Sequence, residues 1–116
     1  MSKLNVREII NTETAVSPKK GEILFNRLSE KLYNNEIVEL DFYGIEDLTT
    51  AFLNKAVGNL YNAFSAQKIE NSIIPKNLDE VDWFLWEKVK ERAAIKFERG
   101  TETGNNIREI LGDEES

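Results

Sequence analysis

Three acids and two threonines lie within a short stretch of the chain: Asp41, Glu46, Asp47, Thr49 and Thr50. A carboxylate pair formed by Asp41 with Asp47 or Glu46 could act as general acid and base, or could hold Mg²⁺, which prefers oxygen ligands. Either threonine could instead accept a phosphate group, although two threonines before a helix more often only cap it. Acids at this spacing are common on soluble proteins, so the signal for an enzyme is weak.

The chain lacks two residue types on which many enzymes and metal sites depend. The sequence contains no cysteine and no histidine. Disulfides, thiolate nucleophiles and cysteine-ligated zinc are therefore excluded, and the usual general base near neutral pH is missing. What remains is carboxylate, lysine, hydroxyl or backbone chemistry, or a protein that binds without catalysing. We expect no catalytic residue, no cofactor and no metal site.

Length and charge set the broad class. The chain has 116 residues, of which 41% are hydrophobic, which suits one soluble domain with a single core. No apolar stretch is long enough to cross a membrane, and the start lacks the apolar core of a secretion signal, so we expect a cytoplasmic protein. The net charge of −6 argues against binding to nucleic acid. Much of that charge lies in residues 101–116, which we predict to be an acidic, flexible tail after a domain of residues 1–100.

The first half of the chain predicts strand, helix and strand. Residues 4–10 begin with alternating apolar side chains and are assigned to a strand, and residues 11–17 to a loop. Ser17 and Pro18 are typical of a helix start, and the helix should run to about Tyr33 with its leucines buried. Residues 37–42 are largely apolar and predict a strand in the middle of a sheet. Asp41, at its exposed carboxyl end, should accept hydrogen bonds from loop amides.

The second half predicts helix, strand and helix. Residues 51–64 form an amphipathic helix, which Asp47, Thr49 or Thr50 could cap. Residues 69–74 predict an edge strand before a proline. A last helix should begin after an Asp79 cap, run over residues 80–99 and stop at Gly100. Its buried stripe should contain Val81, Leu85, Val89 and Ile95, joined by Phe84, Trp86, Ala93 and Phe97. For Trp83 and Trp86 we favour ordinary packing over an exposed ledge for a partner.

This order of elements favours an α/β fold: a small open sheet of three to four largely parallel strands packed with about three helices. In such sheets, sites form beyond the carboxyl ends of the strands. The loop after Asp41 and the start of the next helix should therefore form the functional surface.

Residues in this region also resemble a known family. The segments are Val38-Glu39-Leu40-Asp41-Phe42-Tyr43-Gly44-Ile45, Leu48-Thr49-Thr50-Ala51-Phe52-Leu53-Asn54 and Gly58-Asn59-Leu60-Tyr61. They are similar to the STAS-like family of small bacterial and phage-borne proteins, whose function is largely unassigned. The resemblance implies a fold related to the anti-sigma-factor antagonists, which are regulators rather than enzymes and bind a kinase-like ATPase.

The same resemblance bears on phosphorylation. In the antagonists, the helix after the corresponding strand opens with Asp-Ser-Ser-Gly, and one serine is phosphorylated by the partner. Counted from Asp41, those positions hold Thr49, Thr50, Ala51 and Phe52 here. The phosphorylated serine of the better-known relatives corresponds to Ala51, so only Thr50, or else Thr49, could take its role.

We therefore interpret the chain as a non-catalytic regulatory module that binds a protein partner, which the resemblance suggests to be a kinase-like ATPase. The predicted contact residues are Tyr43, Asp47, Thr49, Thr50, Asn54 and Asn59, with Thr50 as the candidate phosphorylation site. The alternative is a small carboxylate- or Mg²⁺-dependent enzyme that uses Asp41 and Asp47. The sequence indicates neither the partner's identity nor the oligomeric state.

Overall fold

The computed structural model describes residues 2–102, and the side chains of residues 2–95. Its strands are β1 (Ser2–Asn5), β2 (Thr14–Ala15), β3 (Val38–Asp41), β4 (Asp47–Leu48) and β5 (Ile73–Lys76). Its helices are α1 (Val6–Ile10), α2 (Pro18–Tyr33), α3 (Thr50–Ala56), a 3-10 helix (Gly58–Asn62), α4 (Ala66–Ser72) and α5 (Glu80–Glu102). Most of the predicted acidic tail, residues 103–116, lies outside the described residues.

The central sheet has three parallel strands in the order β1-β3-β5. The predicted α/β class, the parallel pairing and the middle position of β3 are confirmed. Val38 and Leu40 are fully buried, because this strand has a neighbour on each side and helices pack on the sheet. A second, two-stranded parallel sheet joins β2 to β4.

The predicted strand over residues 4–10 is only partly right. Residues 2–5 form β1, but Val6–Ile10 is a helix. The Asn5 side chain caps this helix by accepting a hydrogen bond from the Glu8 amide. Val6 and Ile10, four residues apart, both face the core. The separation of four residues between Val6 and Ile10 fits a helical period as well as an alternating one, so the pattern does not distinguish a helix from a strand here.

Helix α2 is confirmed at both ends. The Ser17 hydroxyl accepts a hydrogen bond from the Lys20 amide, and Pro18 is the first helical residue. The predicted leucine stripe, Leu24, Leu28 and Leu32, is fully buried. This helix makes its most extensive contacts with α3, which it fixes against the core.

The predicted helix over residues 51–64 is interrupted. Helix α3 ends at Ala56, and the chain continues as the 3-10 helix from Gly58 to Asn62. The Leu60 amide donates to the Val57 carbonyl, a bond between residues three apart. Glycine at position 58 lowers helix propensity at the break. The apolar side of the segment is still buried, as predicted.

The predicted strand over residues 69–74 is wrong for its first part. Ser65 caps helix α4 by accepting a hydrogen bond from the Lys68 amide, and Ile69 packs into the core from this helix. The strand begins only at Ile73. Its predicted place at the edge of the sheet is confirmed, because β5 pairs with β3 on one side. Pro75 has no amide hydrogen to donate, and an edge strand tolerates this because its other side pairs with no strand.

Helix α5 starts as predicted, because the Asp79 carboxylate accepts a hydrogen bond from the Asp82 amide. It continues through Gly100 to Glu102, so the predicted stop is wrong. The predicted buried stripe is also wrong in part. Val89 is buried, whereas Val81, Phe84 and Ile95 are 67%, 59% and 46% exposed. Phe97 lies outside the residues whose side chains are described. Trp86 is 2% exposed and packs in the core, while Trp83 is 47% exposed.

Candidate functional site

The parallel register brings the last residues of the central strands side by side. Asn5, Asp41 and Lys76 lie next to one another at the carboxyl edge of the sheet. Open α/β sheets form their sites at this edge, because the loops that leave it are free to carry function. The predicted acid therefore lies where the topology places a site.

The Asp41 carboxylate organises the turn that leaves the sheet. It accepts hydrogen bonds from the Asn77 side chain at 2.7 Å and from the Tyr43 amide at 2.9 Å. The bond from Asn77 contributes most to holding the pKa of Asp41 below its ordinary value; the Tyr43 amide, Asn5 and Lys3 act in the same direction, and partial burial opposes them. The expectation that this acid accepts loop hydrogen bonds is confirmed.

Replacing Asp41 with alanine should lower the free energy of unfolding by about 1–2 kcal/mol near neutral pH, because two partly exposed, charge-assisted hydrogen bonds are lost. Since the pKa is lower in the folded state, this contribution is present above the ordinary value of 3.8 and is lost as the pH falls through the folded-state value. Urea unfolding across this pH range measures it. The wild type and the variant should converge in acid.

Asp47→Ala is the control for that prediction. Asp47 is an exposed acid in the same loop, and no hydrogen bond to its carboxylate is found among the described residues. A surface change of this kind should alter stability by less than about 0.5 kcal/mol. Equal losses in the two variants would contradict the role assigned to Asp41.

The turn after β3 requires glycine. Gly44 has φ of +90°, a conformation that residues with a side chain rarely adopt. A Cβ atom there would lie 2.7 Å from Cδ of Arg7, whose guanidinium in turn is 3.7 Å from Glu13. The Ile45 amide donates to the Phe42 carbonyl and closes the turn. The turn therefore points Tyr43 away from the sheet.

Residues 13–16, which the sequence predicts as part of a loop, hold residues 46–49 of the loop after β3 in place. The Glu13 carbonyl accepts hydrogen bonds from the Glu46 amide at 2.8 Å and the Asp47 amide at 3.4 Å. The Ala15 carbonyl accepts one from the Thr49 amide at 3.1 Å. These bonds form the short parallel pairing of β2 with β4.

Sequence reasoning missed this bracing segment, and the signal for it is slight. A strand of two residues cannot show a periodic pattern. Its role comes from backbone carbonyls, which every residue carries. Only the small, fully buried Ala15 marks the segment as packed rather than loose.

The two threonines have different surroundings. The Thr49 hydroxyl accepts from the Phe52 amide at 3.3 Å and donates to the Val16 carbonyl at 3.0 Å, so Thr49 is the cap of α3. Thr50 is the first residue of the helix and is half-buried. Within the described part of the chain, no hydrogen bond engages its hydroxyl. Of the three predicted caps, Thr49 is therefore the one used.

The remaining predicted residues occupy one loop and one helix. Tyr43 is 72% exposed, and Asp47 is exposed in β4. Asn54 is exposed and lies one helical turn after Thr50, so the two share a face of α3. Asn59 is half-buried in the 3-10 helix that follows. Over residues 2–95, no hydrogen bond or ion pair joins the Tyr43 side chain to these helical residues.

Two further findings concern metals and membranes. Among the residues whose side chains are described, no group of three or more acids is placed to hold a metal ion. None of the helices described here combines the length and the apolar character needed to cross a bilayer.

Comparison with protein-family models gives a match. A family model described as a STAS-like domain of unknown function (DUF4325) matches residues 20–83. This range includes most of α2 and the whole of β3, the loop after it, α3 and β5. No significant match was found among curated proteins or among solved structures.

Proposed function

Because the chain belongs to a family of STAS-like domains of unknown function, we propose that it is a non-catalytic regulatory module that binds a protein partner. The docking surface is formed by residues 43–50 and the outward face of α3. One observation carries the proposal: residues 13–16 fix the backbone of this loop, while its side chains at Tyr43 and Asp47 remain in solvent.

A braced loop is suited to binding. Ordering a flexible loop on association costs free energy, and a loop already held in one conformation avoids most of that cost. Here the Asp41 carboxylate fixes the start of the loop, and the hydrogen bonds that the Glu13 and Ala15 carbonyls accept fix its end. The exposed side chains are thus presented in a constant arrangement.

The exposed side chains also have the right chemistry. Tyrosine is among the residues enriched in the energetic centre of protein interfaces, and the Tyr43 side chain of this loop is 72% exposed. The exposed Asn54 and the half-buried Thr50 offer uncharged polar groups, which cost less to desolvate than ions. Asp47 adds a negative charge at the rim, which favours a partner with a basic patch.

The resemblance to anti-sigma-factor antagonists makes a kinase-like ATPase the preferred partner, and such a partner places the complex in the cytoplasm. Thr50 is the hydroxyl such a partner would modify, because the hydroxyl of Thr49 is engaged at both its donor and its acceptor side. A phosphate at Thr50 would meet free amides of α3 but also repulsion from the nearby Asp47. Modification would therefore change the charge of the docking surface.

The enzyme alternative gains no specific support. The Asp41 carboxylate is held by Asn77 and by a backbone amide, which gives it a structural role at the turn. If Mg²⁺ stabilised the protein against heat and Asp41→Asn removed that effect, the carboxylate-pair hypothesis would be favoured over binding.

The test compares the protein with two matched variants as bait in a lysate of its native host. The first, Asp47→Lys with Asn54→Arg, alters the docking surface. The second, Glu22→Lys with Asn26→Arg, makes the same changes of residue type at exposed positions of α2. We expect a partner retained by the wild type and by the α2 variant, with at least about tenfold weaker binding to the docking-surface variant.

A purified partner should then reproduce this order of affinities in calorimetry. Partner recovery that is equal for both variants would contradict the proposed surface. A partner lost equally from both would show that charge alone, rather than this loop and helix, governs binding.

A further inference from the structure

The outer face of α5 carries a regular pattern that the fold does not use. Val81, Phe84, Lys88, Glu91 and Ile95 are spaced alternately by three and four residues. This spacing places them along one stripe of a helix, and it is the spacing by which helices pair in coiled coils.

The stripe faces away from the core. Trp86 and Val89, on the opposite side of the helix, are 2% and 1% exposed and hold α5 against the domain. Val81, Phe84 and Ile95 are 67%, 59% and 46% exposed. Apolar side chains aligned in this way on a helix that is already anchored by its other face mark an interaction surface.

The two charged residues of the stripe are free to pair with a partner. Lys88 lies over the Phe84 ring, 5.6 Å from its centre, and neither it nor Glu91 forms an ion pair with another residue of the described part of the chain. Lys90, by contrast, pairs with Glu70 at 2.8 Å and closes the inner side of the helix. From Val81 to Ile95, the stripe therefore consists of two apolar residues, one positive residue, one negative residue and a last apolar residue.

We propose that this stripe binds the same stripe of a second copy of the chain, with the two helices antiparallel. In the register that places Phe84 opposite the partner's Ile95, Lys88 lies opposite the partner's Glu91. Twofold symmetry repeats both contacts, so opposite charges meet in two central layers with an apolar layer on each side. A parallel arrangement would instead place Lys88 against Lys88 and Glu91 against Glu91.

The surroundings of the stripe leave space for this arrangement. A groove of about 490 Å³ runs beside α5, and its walls include Tyr61, Ala66 and Glu70 on one side and Phe84, Glu87 and Glu91 on the other. Side chains of the second helix can enter this groove. The surface lies on α5, apart from the loop and helix proposed to bind the regulatory partner.

The contact is small, since it involves one helix from each copy. Interfaces at the low end of the size range give weak or transient association, so we expect a dissociation constant on the order of 10 µM. Such a dimer forms and dissociates with protein concentration.

Sedimentation equilibrium over about 1 µM to 1 mM tests the proposal with charge-swapped variants of the full chain. Lys88→Glu alone brings like charges together in both central layers, as does Glu91→Lys alone, and each should weaken dimerisation at least about tenfold. The double variant K88E/E91K restores opposite charges with the order reversed. Its dissociation constant should return to within about threefold of the wild type.

Because both positions lie on the outer face of α5, the variants should keep the wild-type melting temperature at protein concentrations well below the dissociation constant, where the wild type is also monomeric, and this shows that they fold. Phe84→Ser provides a second probe that does not depend on charge, and it should also abolish the dimer. A wild type that stays monomeric at every concentration would overturn the proposal. A dimer that both single variants leave unchanged would also overturn it, as would a double variant that dimerises no more tightly than the single variants. Either result would show that the dimer uses another surface.

Discussion

Replacing Trp86 with alanine should lower the free energy of unfolding by about 3–5 kcal/mol. Trp86 is the largest fully buried side chain in the described structure. Its ring meets Phe42 edge to face, with 6.0 Å between centres and 78° between planes. Phe42 directly follows β3, so this contact ties α5 to the central strand. Truncation leaves a cavity at that junction.

Since small domains are stable by only about 5–15 kcal/mol, the variant should be partly unfolded at physiological temperature. Urea unfolding followed by circular dichroism measures the loss. Trp86→Phe should be milder, because it keeps an aromatic ring and removes an indole N–H that has no hydrogen-bond acceptor within the described residues. Trp83→Ala is the matched control at a half-exposed position and should cost less than about 1 kcal/mol. Similar losses for both tryptophans would contradict the assignment of Trp86 to the core.

The parts of the fold predicted from sequence are those with a strong local signal. Helix α2 has a serine cap, a proline at its first position and leucines four residues apart, and all three agree. Four of the six residues in 37–42 are apolar, and this high apolar content indicates a middle strand. In such segments tertiary packing only reinforces what the local sequence favours.

The errors lie in short elements and in helix orientation. Helices α1 and α4 have five and seven residues, too few for one period to be distinguished from another. The available sequence signal for them is the cap residue that begins each helix, Asn5 for α1 and Ser65 for α4. Helix α5 has apolar residues around most of its circumference, so only the packing of Trp86 decides which face is inside.

The candidate site also has features that the sequence predicts and features that it does not. The position of Asp41 at the end of β3, and its hydrogen bonds to the following turn, followed from topology and from the cost of burying an unpaired charge. The brace from Glu13 and Ala15 could not be predicted, because it is made by backbone carbonyls brought near by the fold. The sequence therefore predicts where the loop lies, but not the backbone hydrogen bonds that hold it in place.

The packing that positions α3 leads to the second large effect. Gly21 lies where α2 crosses α3, and a Cβ atom at this position would be 2.6 Å from the Phe52 carbonyl oxygen and 2.9 Å from Cβ of Lys55. Alanine in place of this glycine would by itself stabilise the helical conformation by about 1 kcal/mol. Overpacking against a backbone atom that cannot rotate away costs more, so Gly21→Ala should lower the free energy of unfolding by about 1–3 kcal/mol net.

Chemical unfolding of Gly21→Ala beside Gly58→Ala checks this prediction. At Gly58 the nearest atoms to an added Cβ are 3.6 and 3.7 Å away, ordinary contact distances, so that variant should be as stable as the wild type or up to about 1 kcal/mol more stable. Stability equal to or above that of the wild type in Gly21→Ala would show that the helices separate without cost. Because α3 carries Thr50 and Asn54, a forced separation from α2 also displaces the docking surface. Gly21→Ala should therefore weaken partner binding even at temperatures where the protein is fully folded, whereas Gly58→Ala should not.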